Sequence, residues 1–119
     1  MTDQASLAQK TCVPCKGGTP RLDRDQAREM IAAVDGWELN DDATRISRRF
    51  GFKDFAAARA FAAAVGDLAE AEFHHPEIAF GWGYCRVDFQ TRKIRGLHEN
   101  DFIMAAKVNR LFGRKDPGA

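Results

Sequence analysis

The chain has 119 residues, 45% hydrophobic and 29% charged, with 18 Lys and Arg set against 17 Asp and Glu. This is the composition of one folded domain with one core rather than of a disordered segment. The formal charge of +1 gives no electrostatic reason to bind nucleic acid or a membrane surface. No apolar run approaches the roughly 20 residues of a membrane span. MTDQASLAQK lacks the hydrophobic stretch of a secretory signal, so a soluble, cytoplasmic protein is expected.

Residues 1–21 carry Pro14, Gly17, Gly18 and Pro20 with little periodicity and read as an irregular arm. Within it Cys12 and Cys15 form a CxxC, open to reading as half a zinc site, a redox pair or a motif without essential chemistry. Only three cysteines are present, which cannot close a disulfide framework. A domain is expected over residues 22–113, with 114–119 as a frayed end. Asp23 and Gln26 stand in capping-box spacing, and Ala27, Met30, Ile31 and Val34 mark one buried helical face that Gly36 closes. A first strand begins at Trp37–Leu39, followed by a polar turn over 40–43. Ile46, Arg48, Phe50 and Phe52 alternate with polar or small residues and predict a second strand, with Arg48 an anomaly on the apolar parity.

An Ala-rich helix is predicted over 54–72, anchored by Phe55, Ala58, Ala62, Val65 and Leu68. After Pro76 the chain extends again. Cys85, Val87, Phe89 and Thr91 share one parity and Arg86, Asp88, Gln90 and Arg92 the other, until Gly96 ends the strand. Cys85 is then a small core residue. A last helix is predicted over 99–112, burying Phe102, Ile103, Ala106 and Leu111. The order α-β-β-α-β-β-α, with hairpin-linked antiparallel strands and helices on one sheet face, is a single-domain α+β two-layer sandwich.

His74 and His75 are two of only three histidines, and they sit at the junction of a helix and a strand, where Pro76 holds His75 extended. Three readings are open: surface or satisfied core histidines, a metal site, and general acid/base work. Adjacent histidines on extended chain point to opposite sides, and His98 lies 23 residues away, so a ligand set is not apparent. Acid/base chemistry needs no third ligand and suits imidazole near neutral pH. Glu70 and Glu72 lie just upstream, and a cleft floored by Phe80 and Trp82 is expected.

EAEFHHPE, followed by a strand and then GLHENDFIMAAKVNRL, resembles the pterin-4a-carbinolamine dehydratase family, also called 4a-hydroxytetrahydrobiopterin dehydratases. CVPCKGGTPRL, DGWEL and FGFKDFAAARAFAAAVGDLAEAE match in order and spacing, so the resemblance covers nearly the whole chain. It implies a four-stranded antiparallel sheet with helices on one face and association into homodimers or homotetramers. It also implies a hydro-lyase that dehydrates 4a-hydroxytetrahydropterin to quinonoid dihydropterin and recycles the cofactor of aromatic amino-acid hydroxylases. The resemblance implies neither a metal nor a bound cofactor.

Residue by residue, His74 and His75 match the family's catalytic histidine pair. Glu70 matches a pterin-binding carboxylate, Trp82 an aromatic position, and Asp101 an aspartate at the start of the last helix, where capping is the alternative role. One position departs: the family's third histidine, in a Thr-His pair, is here Arg92 after Thr91. Arginine is a poor proton shuttle, so slower dehydration is expected. Arg92, with Lys93, Arg95 and Arg86, reads either as a solvated strand edge or as an anion fork. The fork would suit a paralogue that binds or processes a phosphorylated pterin, for instance in molybdopterin metabolism.

Overall fold

The computed structural model describes residues 3–14 and 18–115. Its elements are α1 (Gln4–Gln9), α2 (Arg24–Ile31), β1 (Glu38–Leu39), β2 (Ile46–Gly51), α3 (Phe55–Glu72), β3 (Glu77–Gly81), β4 (Tyr84–Phe89), a 3-10 turn (Arg92–Ile94) and α4 (Glu99–Lys115). All strand pairs are antiparallel, in the order β1-β2-β4-β3. The α+β sandwich expected from the periodicities is the fold that forms, with one helix more than the sequence announced.

The register explains which face is covered. Ile46, Arg48 and Phe50 of β2 lie opposite Phe89, Val87 and Cys85 of β4, and Ile78 of β3 lies opposite Val87 from the other side. Ile46, Phe50, Cys85, Val87 and Phe89 are all buried beneath the helices, whereas Arg49, Arg86, Glu77 and Ala79 stand exposed on the opposite face. Phe61 of α3 and Phe112 of α4 pack their rings against Phe50 at 4.9 and 5.0 Å. Arg48, the anomaly of the alternation, is accommodated without a carboxylate. Its Nη1 donates to the Asp35 carbonyl at 2.9 Å and to Asn109 Oδ1 at 2.7 Å, and its guanidinium lies 4.4 Å from the Phe50 ring centroid.

Local chemistry sets the helix boundaries. Asp23 accepts from the Gln26 N–H while the Gln26 side chain accepts from the Asp23 N–H, the reciprocal capping box read from the sequence. Regular helix stops at Ile31, and the chain reaches Gly36 through turns. Asp54 caps α3 by accepting from the Ala57 N–H. Phe73 ends that helix in the left-handed conformation, φ 52°, an expensive geometry for a side chain with a Cβ.

Four expectations are corrected. The arm over 1–21 is not wholly irregular: Asp3 accepts from the Ser6 N–H to start α1, and Leu7 is completely buried. α1 packs on α4, fastened by Lys107 Nζ donating to the Ala8 carbonyl and by a Lys10–Glu99 ion pair of 2.8 Å. Phe55 does not anchor the buried face of α3; at the helix start it overhangs the edge strand β3 and stays 43% exposed, with its ring 5.5 Å from Phe80. Regular β4 ends at Phe89 rather than running on to Arg92. Thr91 closes an isolated bridge with Gly96, and Arg92 opens the 3-10 turn, so Arg92 and Arg86 no longer share a strand face. Phe80 and Trp82 do not floor a cleft, since neither borders the cavity that His74 and His75 line. Cys15 and Gly17, and residues 116–119 of the expected frayed end, lie outside the described residues.

Candidate active site

His74 and His75 follow Phe73, whose left-handed turn swings the chain off the end of α3 and toward β3. The His74 N–H still reaches back to the Ala69 carbonyl, so the first histidine is tied to the helix. The His74 ring lies nearly parallel to Phe89, 13° between planes and 6.1 Å between centroids, which places it against the core end of β4.

Asp101 organises what lies behind His74. This carboxylate is fully buried in the first turn of α4. Its Oδ1 lies 2.7 Å from His74 Nε2, while its Oδ2 accepts from the Thr91 hydroxyl at 2.7 Å and from the His98 N–H at 3.0 Å. An ionised Asp101 accepts at Oδ1, an arrangement that puts a ring proton on His74 Nε2 and turns Nδ1 away from the carboxylate. Asp101 also caps α4, because the same Oδ2 reaches back to His98 while His98 Nδ1 accepts from the Asn100 N–H. Capping and positioning are thus one arrangement rather than alternatives. His98 serves the helix end.

His75 has a different environment. Its Nε2 lies 3.2 Å from Glu70 Oε2, with side chains 49% and 74% exposed. The Phe73 ring meets it edge-on at 5.2 Å.

Both histidines line a cavity of about 480 Å³, within the range of about 300–1,000 Å³ usual for small-molecule sites. Thr91 and the 3-10 turn after it, through Arg92 and Lys93, line one side, α4 contributes Asn100, and the arm contributes Cys12, Val13 and Pro14. Of the residues read from the sequence, His74, His75 and Arg92 meet at this cavity. Asp101 stands behind His74, and Glu70 touches His75 without lining the cavity.

The floor expected from Phe80 and Trp82 is not there. Trp82 sits in the turn between β3 and β4, 74% exposed, and Phe80 lies on the edge strand beside Phe55; neither borders the cavity. Arg86 lies on the open sheet face, its Nε 3.0 Å from Asp88 Oδ1, and takes no part. Arg95 enters the left-handed region and its carbonyl accepts from Arg21.

Sequence reasoning missed the residues that hold the cavity together. Thr91 is 4% exposed and bonds Asp101; Asn100 is 2% exposed and faces the arm. The signal for Thr91 was a polar side chain on the apolar parity of Cys85, Val87 and Phe89; Asn100, in the polar run of residues 98–101, gave none. Cys12 has its thiol pushed up to about 12 by burial and then by the nearby Glu72 carboxylate, so it is not a nucleophile at neutral pH. Among the described residues no three His, Cys, Asp or Glu side chains are grouped to hold a metal ion, and no helix is long and apolar enough to cross a membrane.

Known proteins resemble this chain in sequence and in fold. A "Putative pterin-4-alpha-carbinolamine dehydratase" from Methylococcus capsulatus is 57% identical over 92% of this chain and 96% of its own. A similarly named protein from Halorhodospira halophila is 55% identical over 89% and 97%. Among solved structures, the transcriptional coactivator/pterin dehydratase from Brucella melitensis superposes with a TM-score of 0.72 at 36% identity, over 77% of this chain and 98% of that one. A pterin dehydratase-like protein described as a RuBisCO assembly factor in the alpha-carboxysome gives a TM-score of 0.57 at 30% identity, over 66% and 90%. The family model "Pterin 4 alpha carbinolamine dehydratase" matches residues 20–111, and with sequence, fold and relatives in accord the chain belongs to that family.

Proposed function

We propose that this cavity dehydrates a 4a-hydroxytetrahydropterin to the quinonoid dihydropterin and water, in tetrahydropterin recycling. The observation that carries the reading is the Thr91–Asp101–His74 chain of hydrogen bonds, with the solvent-reachable His75 on the same cavity. His74, fixed with its proton on Nε2, offers Nδ1 to take the proton from the ring nitrogen beside the carbinol carbon. His75 gives a proton to the departing hydroxyl as the carbon–oxygen bond breaks and a carbon–nitrogen double bond forms. Water leaves, His75 is reprotonated from solvent, and His74 returns its proton there, so the protons balance. Glu70 lies beside His75 and attracts its protonated form, weakly because solvent screens the pair. Because a similar fold is described as an assembly factor, the enzymatic reading rests on the histidine geometry rather than on the fold.

The paralogue reading, with a phosphorylated pterin, draws on one observation. Arg92 and Lys93 both line the cavity, and among the described residues neither forms an ion pair. The deciding experiment mixes purified protein with chemically generated 4a-carbinolamine and follows its decay by absorbance. A rate well above the buffer background is expected; a rate equal to background ends the dehydratase reading.

A further inference from the structure

The family model begins at residue 20, yet Cys12, Val13 and Pro14 border the cavity. They are held there by a dedicated clamp. Asn100 Oδ1 accepts from the Val13 N–H at 3.0 Å while Asn100 Nδ2 donates to the Val13 carbonyl at 2.6 Å, a side-chain amide paired with backbone as one strand pairs with another. One residue earlier, the Cys12 N–H donates to Glu72 Oε1 at 2.9 Å. Upstream, Leu7 is completely buried and Lys107 holds the Ala8 carbonyl, so the segment is anchored before it reaches the cavity. Asn100 is itself 2% exposed.

The clamp determines what the wall can recognise. The Cys12 N–H and both backbone groups of Val13 are already hydrogen-bonded, and Pro14 has no N–H to offer. The Cys12 thiol is turned to the Asn100 carbonyl, so the side chains left to the cavity are hydrocarbon: Val13, 56% exposed, and the Pro14 ring, with Phe73 and Pro76 elsewhere on the lining. The cationic groups, Arg92 and Lys93, come from the 3-10 turn instead. Acid/base work occupies only the ring edge that bears the hydroxyl, so the wall faces some other part of the ligand.

We propose that Cys12–Pro14, placed by Asn100, is a specificity wall that contacts an alkyl portion of a ring substituent, making this site selective for substituted over unsubstituted pterins. The proposal rests on the pterin reading above. Asn100 is a positioning residue in it, and Val13 the contact.

The test is anaerobic titration calorimetry with two probes, 6-propyl-tetrahydropterin and unsubstituted tetrahydropterin, on the full chain and on Val13→Ala and Asn100→Ala. The full chain binds the propyl probe more tightly, and each substitution lowers that preference by about five-fold, the size of effect expected from losing contact with one or two carbon groups. Hydrogen exchange at the Val13 amide accelerates in Asn100→Ala and not in Val13→Ala. If Asn100→Ala fails to fold, the exposed Val13→Ala decides alone. Binding of both probes with a preference that Val13→Ala leaves intact overturns the wall and leaves the pterin reading standing. Binding of neither probe to the full chain overturns both.

Discussion

Two adjacent residues, His74 and His75, each sit beside a carboxylate, but in opposite settings. The His74–Asp101 pair is 2.7 Å apart with side chains 12% and 0% exposed; the His75–Glu70 pair is 3.2 Å apart and open to water. In the first, a carboxylate removed from water accepts from the Thr91 hydroxyl and the His98 N–H and holds the imidazole in one direction. In the second, solvent screens the attraction and both side chains keep much of their freedom. The lesson is that sequence adjacency does not confer equal settings: the buried histidine is held by its carboxylate, whereas the exposed one stays in contact with solvent.

The strongest way to break this contrast is on the buried side. His74→Ala is expected to slow dehydration by about 10²–10⁴-fold, and a loss under tenfold would remove His74 from the chemistry. Asp101→Ala, which strands Thr91, His74 and the start of α4, is expected to cost about 3 kcal/mol in urea unfolding. A third imidazole at the cavity tests the departure from the family pattern: Arg92→His should raise the rate by about tenfold if acid/base capacity limits it. On the exposed side, Glu70→Gln should alter stability by no more than about 1 kcal/mol and the rate by less than about tenfold. A loss matching that of His74→Ala would erase the distinction between the pairs.

The smallest effect concerns how far into alkali the buried side persists. Burial holds the thiol of Cys12 up at about 12 and that of Cys85 at about 11, above the ordinary 9.0. Unfolded thiols ionise first, so this stabilisation is whole below about pH 9 and fades as pH rises through 11 to 12. Melting temperature measured from pH 8 to 12, the full chain against a Cys12→Ser, Cys85→Ala double variant, should show the two curves converging with alkali. Parallel curves would refute it.

Much of the fold was legible because its signals are local. The period-two run Cys85, Val87, Phe89 became the central strand β4, and Asp23 with Gln26 made the predicted cap. The histidine pair and Asp101 were legible through family resemblance, and the structure shows the contact joining them across 27 positions. α1 was not legible, since Leu7 is its one large apolar side chain and its stability comes from docking on α4. The warning lay in α4 itself. Met104, Ala105 and Val108 are buried along with the predicted Phe102, Ile103 and Ala106, an apolar surface too wide for a sheet alone to cover. The Phe80–Trp82 floor failed because nearness in sequence to His75 was read as nearness in space, while β3 carries those rings away from the histidines along the sheet edge.

The double duty of Asp101 bears on how this protein can change over generations. The same carboxylate oxygen that accepts from Thr91 fastens the first turn of a helix buried in the core. A descendant without the proposed catalysis would still be held to that aspartate by selection for a folded chain. His75, Glu70 and Arg92 carry no such burden, being exposed or at the cavity rim. Retention of Asp101 in a relative therefore certifies the scaffold, and it is drift at the exposed positions that would record whether the proposed chemistry is under selection.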